Sequence, residues 1–199
     1  MTWVFVDPPS PPGFVSFRHA HGGYGEFCHT TRLKVPTLDL FHCASLLLEN
    51  GFKARVVDSV LSDHSPRNCV DAVLREKPSG VAFRTASGSC LHDLKTAERL
   101  RGKFRGPIMF FGPQVSVEAD RILASPAVDA VVPGEAPPAF LRIARKRGFR
   151  GVPGVRSGRT GGNGAAPMIG DLDILPVPRW DLVPYRKYTF VTAQTSWGC

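Results

Sequence analysis

The chain has 199 residues and a formal net charge of +8, and 43% of its residues are hydrophobic. This apolar content excludes a chain that is disordered throughout, and the length allows a core that needs no disulfide framework. The sequence has no run of about 18 apolar residues, so we expect no membrane span. Its N-terminus lacks the basic region of a signal peptide. Five scattered cysteines, an odd number, favour reduced thiols and a cytoplasmic protein.

Short apolar runs alternate with helical patterns over most of the chain. Runs typical of buried parallel strands are Trp3–Val6, Arg55–Val57, Gly80–Phe83, Ile108–Phe111 and Ala130–Val132. Helices are predicted at Pro36–Glu49, from Pro66 to about Lys77, at Leu91–Leu100, at Val115–Leu123, and from Pro137 to about Lys146. Five β-α units predict an α/β fold of the Rossmann-like or flavodoxin-like type. Its open parallel five-stranded sheet would carry helices on both faces.

Two stretches depart from this alternation. The first is Pro8–Val35, an irregular connection about twice as long as the later ones, at the carboxyl end of the first strand where ligands bind. The second begins after Gly148, where Val155–Arg159 is compatible with a small hairpin and Asp171–Tyr188 resembles an extended, proline-rich linker. We therefore predict a domain at 1–148, a hairpin and linker at 149–188, and the start of another strand at 189–199.

The positive charge is concentrated in one segment. Between Ala136 and Gly170 there is no acidic residue, and seven cations occur there: Arg142, Arg145, Lys146, Arg147, Arg150, Arg156 and Arg159. Nucleic-acid binding is one interpretation of such a patch. The other is a helix C-terminus, which favours cations, followed by a basic loop. Aromatic residues are not interleaved as a stacking surface requires, so we expect no nucleic-acid partner.

The sequence lacks the common phosphate-binding and receiver motifs. It has no G-x-x-x-x-G-K-[ST] loop, and Asp7 stands alone where a receiver domain would cluster several acids. Cys28-His29 and His42-Cys43 include four side chains of the types that bind zinc. Joint ligation by His42 and Cys43 is awkward, since neighbours on a helix point about 100° apart.

Small turns that follow the strands are the better candidates for a binding site. Such turns let the backbone approach a ligand closely, although α/β turns carry Gly and Pro for local reasons too. They share one edge of the predicted sheet, where a large flat ligand could rest. The candidate binding residues in them are Pro8, Pro9, Thr85, Ser87, Gly88, Gly112, Pro113, Gln114, Gly134 and Glu135.

Four motifs in order carry a resemblance to a known family. They are Asp7-Pro8-Pro9, Leu46–Phe52 with Val56-Val57-Asp58, Val131–Glu135, and Leu172–Pro178 continuing to Tyr188. Thr195-Ser196-Trp197-Gly198-Cys199 follows them and resembles an "S-R-G-C" motif, with Trp197 in place of Arg. Together they resemble the N-terminal half of cobalamin-binding radical SAM proteins, which include B12-dependent methyltransferases and the anaerobic Mg-protoporphyrin ester cyclase.

This resemblance implies a cobalamin-binding Rossmann-like domain at 1–148, with cobalamin held by the ten turn residues. No histidine ligand to cobalt is expected, because the chain lacks the D-x-H-x-x-G motif. It also implies that Cys199 is the first metal-binding cysteine of a C-x-x-x-C-x-x-C motif, which binds a [4Fe-4S] cluster through three thiolates.

A barrel that would bind S-adenosylmethionine does not occur in the 199 residues. We therefore expect a fragment, truncated at 189–199 within the first strand of that barrel. It would bind cobalamin but would not by itself catalyse the methyl transfer or radical ring formation of the intact parent. The alternative is a stand-alone flavodoxin-like nucleotide-binding or interaction module.

Overall fold

A computed structural model describes residues 1–21, 25–28, 33–158 and 168–194 of the chain. Its strands are β1 (Thr2–Asp7), β2 (Val15–Phe17), β3 (Glu26–Cys28), β4 (Lys53–Asp58), β5 (Gly80–Arg84), β6 (Ile108–Phe111) and β7 (Ala130–Val132). Its α-helices are α1 (Leu38–Glu49), α2 (Pro66–Arg75), α3 (Cys90–Arg101), α4 (Pro113–Leu123) and α5 (Ala136–Lys146). The five predicted strands and five predicted helices are confirmed, with ends that agree within two residues.

Five of the strands form one parallel sheet in the order β4-β1-β5-β6-β7. Counted within this sheet, the order is 2-1-3-4-5, which confirms the flavodoxin-like prediction. The strand order reverses between β1 and β5, whose carboxyl ends are Asp7 and Arg84. In folds of this type ligands bind at that switch point, outside the carboxyl ends of the strands.

Helices cover both faces of the sheet. On one face, α1 and α5 enclose a core in which the rings of Phe5, Phe111 and Phe140 meet edge to face at 5.0–6.2 Å. On the other face, α2, α3 and α4 enclose a core in which Phe83 and Phe110 stack at 5.4 Å. Because the strands are buried on both faces, their sequences are continuous apolar runs.

The region after α5 differs from its prediction in one place and leaves another prediction untested. Within the predicted hairpin Val155–Arg159, Arg156 pairs with Val131 through backbone hydrogen bonds of 2.8 and 2.9 Å, and Arg159 lies outside the described residues. Arg156 thus extends the edge of the main sheet. The strand expected from Thr189 is absent from the described residues 189–194, where the Thr189 N–H donates to the Lys34 carbonyl at 2.8 Å. Residues 195–199 lie outside the described residues.

The linker, defined as residues 168–194, packs against the domain. It contains three 3-10 turns, at Leu172–Ile174, Trp180–Leu182 and Tyr185–Lys187. The Trp180 ring lies 4.8 Å from the ring of Phe41 on α1, and the Arg179 N–H donates to the Ser45 hydroxyl at 2.8 Å. The linker therefore has a fixed path across the α1 face.

Candidate functional site

The long connection after β1 covers part of the carboxyl end of the sheet. We call its described residues between Pro8 and Pro36 the cover segment. It contains the antiparallel hairpin of β2 and β3, in which Ser16 pairs with Phe27. A Cβ added to Gly25 would lie 2.9 Å from the Cβ of Ala86, so the hairpin rests closely on the turn after β5.

Arg18, directly after β2, fills the switch point. Its side chain is fully buried, and Nη1 donates to Asp7 Oδ1 at 2.7 Å and to the Pro8 carbonyl at 2.8 Å. Nη2 donates to Asp93 Oδ1 at 2.8 Å and to the Pro9 carbonyl at 3.3 Å. The crevice predicted to bind a ligand is therefore occupied by a side chain of the cover segment.

Hydroxyl groups complete the surroundings of this guanidinium. Arg18 Nε donates to the Ser89 hydroxyl at 3.3 Å, and the hydroxyls of Thr85 and Ser89 donate to Asp93 Oδ2 at 2.8 and 2.6 Å. Burial opposes the charge of Arg18, but the carboxylates of Asp93 and Asp7 outweigh it and raise the pKa of Arg18. Arg18 is thus a permanently charged group between β1, β5 and α3.

A further buried carboxylate lies at the end of β4. Asp58 is the register neighbour of Asp7, and its two oxygens accept from the Leu61 N–H at 2.7 Å and the Tyr188 hydroxyl at 2.5 Å. Burial, with the nearby Asp7 charge, raises the pKa of Asp58 to about 7. Tyr188 belongs to the linker, so the linker reaches the carboxyl edge of the sheet.

On the α1 side of this edge a second arginine is paired. Arg84 ends β5, is fully buried, and binds the Asp39 carboxylate on α1 at 3.1–3.2 Å. His19 and His42 lie near Asp39, and burial lowers the pKa of both imidazoles. Within the described part of the chain, no three His, Cys, Asp or Glu side chains are grouped to hold a metal ion. His29 of the zinc hypothesis lies outside that part.

We call the carboxyl edge of the sheet the rim. The part of the rim that Arg18 does not fill is its open half, formed by the ends of β6 and β7 with the outer part of the turn after β5. Gly112 has φ +108°, and a Cβ there would lie 2.8 Å from the Thr85 carbonyl oxygen, so only glycine fits. Ser87 and Gly134 are exposed. Leu91 and Val117, at the beginnings of α3 and α4, are 56% and 68% exposed. This half therefore offers small turns and apolar side chains to solvent.

The structure separates the ten predicted binding residues. Pro8, Pro9 and Thr85 surround the Arg18 guanidinium. Gly88 is exposed, but a Cβ there would lie 2.5 Å from the Phe27 ring. Packing against the cover segment, and not ligand binding, therefore accounts for a glycine at this position. The other six belong to the turns of the open half. Ser87 and Gly134 are exposed, Pro113 and Glu135 are partly buried, and Gly112 and Gln114 are buried.

Two of these residues also make contacts elsewhere, and one predicted ligand is not described. The Gly134 N–H donates to the Ser116 hydroxyl at 3.3 Å, and the Glu135 carboxylate accepts from the Ile169 N–H of the linker. Cys199, the predicted cluster ligand, lies outside the described residues.

Sequence reasoning missed Arg18, Asp58, Asp93 and Tyr188. Asp93 had a detectable signal, because it lies three residues after Cys90 on the core-facing side of α3, where a carboxylate needs partners. Asp58 had a detectable signal as well, since it comes directly after a predicted strand, at the same edge of the sheet as Asp7. Arg18 had none, because its partner Asp93 is 75 residues away in the sequence.

The cations at the end of α5 lie at the opposite end of the sheet, whereas Arg159 of the basic segment lies outside the described residues. In a parallel β-α fold the helix that follows a strand returns to the amino end, so Arg145, Lys146 and Arg147 at the end of α5 lie away from the rim. Arg145 donates to Asn50 at 2.8 Å, and Lys146 donates to the Arg150 carbonyl at 2.7 Å. The helices of the described residues are also too short or too polar to cross a membrane.

One known protein is similar to the chain in sequence. No family model matches the chain. The chain is 25% identical, over 184 residues, to the uncharacterized methyltransferase PH0819 of Pyrococcus horikoshii, an alignment that covers 82% of this chain and 39% of that protein. It therefore spans about two fifths of the length of this curated relative.

Two solved structures are similar to the chain in fold. The chain matches the radical S-adenosylmethionine methyltransferase TsrM from Kitasatospora setae, solved with cobalamin and a [4Fe-4S] cluster, at a TM-score of 0.60 and 14% identity. The match covers 78% of this chain and 28% of that one. TsrM with its tryptophan substrate and the SAM analogue aza-SAM gives a TM-score of 0.59 over the same shares, also at 14% identity. Together with the order of the strands, these matches show that the chain has a Rossmann-like fold.

Proposed function

We propose that this chain is the cobalamin-binding domain of a radical SAM enzyme that transfers methyl groups. The observation that carries the proposal is the similarity in fold to TsrM, a methyltransferase whose structure contains cobalamin. The sequence similarity to PH0819, named as a methyltransferase, supports the same class of reaction. The order of motifs from Asp7-Pro8-Pro9 to Leu172–Pro178 is the third support.

The open half of the rim fits a large, flat molecule with polar edges. No side chain rises from Gly112 or Gly134, and Ser87 is small. The exposed Leu91 and Val117 suit apolar contact with a ring system. In addition, α3 and α4 begin at this edge without side-chain caps, so N–H groups of their first turns can serve amide carbonyls at the ligand's periphery. Pro137 and Pro138 have no N–H, so α5 contributes little to such bonding.

In this proposal the chain's own residues bind and orient the cofactor by shape and backbone contacts. Bound cobalamin supplies a cobalt ion that can carry a methyl group. The turns at Thr85–Ser89, Gly112–Gln114 and Pro133–Glu135 contain no histidine, so none of them would supply a histidine ligand to cobalt. Arg18 closes the other half of the rim, so the residues that would hold the cofactor are those at the ends of β5, β6 and β7.

The iron–sulfur and S-adenosylmethionine chemistry is assigned to a different part of a longer protein. Cys199 supplies one thiolate, whereas the family motif holds its cluster with three. The coverage of 39% of the curated relative and 28% of the TsrM chain leaves room for such a part. We accordingly expect cofactor binding by this chain and no methyl transfer.

Retention of hydroxocobalamin tests the proposal. Purified chain is mixed with hydroxocobalamin and desalted, and corrin absorbance is expected to elute with the protein. Ser87→Trp places a large side chain on the open half and should abolish retention. Ser62→Trp, at an exposed position after β4, is the matched control and should retain the corrin. A folded wild-type chain that retains no corrin would refute the proposal, and retention of FMN instead would favour the flavodoxin-like module.

A further inference from the structure

We infer that the cover segment and the linker form a clasp, so that opening of the switch-point crevice and release of the linker are coupled. The inference concerns two contacts between these segments, one direct and one through buried carboxylates. It does not depend on which ligand the rim binds.

The direct contact joins Lys34 of the cover segment to Thr189 of the linker. The Thr189 N–H donates to the Lys34 carbonyl at 2.8 Å, and the Lys34 N–H donates to the Thr189 hydroxyl at 2.9 Å. The Lys34 ammonium donates to the Leu61 carbonyl at 2.7 Å and to Asp63 at 2.5 Å. Both segments are thereby fastened to the loop that follows β4.

The indirect contact runs through adjacent carboxylates. Tyr188, 7% exposed, donates its hydroxyl hydrogen bond to Asp58, and Asp58 is the register neighbour of Asp7. Asp7 in turn binds Arg18 of the cover segment. Only one strand pairing therefore separates the linker's buried hydroxyl from the guanidinium that closes the crevice.

Displacement of Arg18 acts on the linker by both routes. A ligand that displaces Arg18 from the crevice removes the counter-ion of Asp7, and the electrostatic repulsion between Asp7 and Asp58 then increases. Because Asp58 accepts the hydrogen bond of Tyr188, this repulsion disturbs the contact that holds the linker. Movement of the cover segment also withdraws the Lys34 partner of Thr189. Because coupling between two sites is reciprocal, release of Tyr188 must loosen the cover segment equally.

The coupling is expected to be local. The linker is held further upstream by contacts that involve neither the cover segment nor the carboxylates, namely those of Trp180 with Phe41 and of Arg179 with Ser45. Release of the clasp should therefore loosen residues 185–194 and leave residues 179–182 in place.

Amide hydrogen exchange of the whole chain tests the clasp. Tyr188→Phe keeps the ring and removes the hydroxyl. The exchange rate is expected to rise about tenfold in residues 185–190 and also in residues 8–20 and 33–37. A tenfold change corresponds to the loss of a hydrogen bond worth about 1.4 kcal/mol. Tyr185→Phe is the matched control, because Tyr185 is 41% exposed and its hydroxyl makes no hydrogen bond within the described residues. Faster exchange confined to the linker would overturn the inference.

A variant on the other segment completes the test. Lys34→Met removes the ammonium contacts and should speed exchange in residues 185–190 as well as in the cover segment. An effect confined to the cover segment would contradict the coupling. No cofactor is present in these measurements, so their failure leaves the cobalamin proposal standing, and failure to retain corrin leaves the clasp standing.

Discussion

Replacement of Arg18 by methionine is the sharpest test of how this rim is built. The five N–H groups of Arg18 donate to two carboxylates, two backbone carbonyls and one hydroxyl, all within 3.3 Å. Methionine fills a similar volume but donates none of these bonds. Asp7 and Asp93, 1% and 0% exposed, would remain buried without their counter-ion.

The expected cost follows from that arrangement. Removal of one partner from a buried ion pair destabilises a protein by about 3–5 kcal/mol, because the remaining charge is left uncompensated. Here one cation serves two carboxylates, so we place Arg18→Met at the upper end of that range. Typical domains are stable by about 5–15 kcal/mol, so the loss would be a large part of the total.

Urea unfolding at pH 7, followed by circular dichroism, measures this loss. With a urea dependence of about 2 kcal/mol per molar, the midpoint should fall by about 2 M. Arg105→Met, at an exposed position, is the matched control and should leave the midpoint almost unchanged. The penalty should shrink toward pH 5, because burial raises the pKa of Asp93, and without Arg18 this carboxylate can take up a proton as the pH falls. A loss below about 1 kcal/mol would refute the reasoning.

A double-variant cycle separates the ion pair from simple packing. Asp93→Asn removes one of the two buried charges, so the combined variant with Arg18→Met should be less destabilised than the two single losses together. If the losses simply add, Arg18 and Asp93 are not an energetic unit, and the loss in Arg18→Met would come from its other partners, Asp7 among them.

The sheet and its helices could be predicted because their signals are local. Buried parallel strands such as Ile108–Phe111 are apolar without interruption, since both faces are covered. Ser65 caps α2 by accepting from the Asn68 N–H, and Pro66 occupies the first helical position, both of which are local signals of a helix start. Right-handed crossovers then leave few topologies, and the flavodoxin-like order is among them.

The site could be predicted only in part because its decisive contacts are long-range. The position of the rim follows from topology, which is why the sequence alone could place the small turns at Gly112 and Gly134 at this edge of the sheet. The cover segment has two strands of three residues each, too short for a periodic pattern. Arg18 is charged and lies in an irregular stretch, so its complete burial between Asp7 and Asp93 has no local signature.

The linker shows the same limit in another form. Its prolines predicted an extended chain, and only short 3-10 turns are present. Its attachment depends on Trp180 and Tyr188, which no helical or strand period marks as buried. Tyr188 is held by Asp58, 130 residues away in sequence. Packing against α1 and β4 therefore could not be anticipated from residues 168–194 alone.

Two further predictions concern Asp58 and Gly112. The raised pKa of Asp58, about 7 against an ordinary 3.8, means that the folded state binds a proton that the unfolded state has lost. Stability should therefore fall by up to about 4 kcal/mol as pH rises from about 4 to about 7. Asp58→Asn should flatten this slope in urea titrations, and an unchanged slope would contradict it. Gly112→Ala should cost more than Gly51→Ala in urea unfolding. Both glycines have positive φ, but an added Cβ meets the Thr85 carbonyl oxygen at 2.8 Å only at Gly112, whereas Gly51 has open space. Equal losses of stability in the two variants would show that backbone strain, worth about 1 kcal/mol, accounts for both. The close approach of the Thr85 carbonyl oxygen would then not be the reason for glycine at position 112.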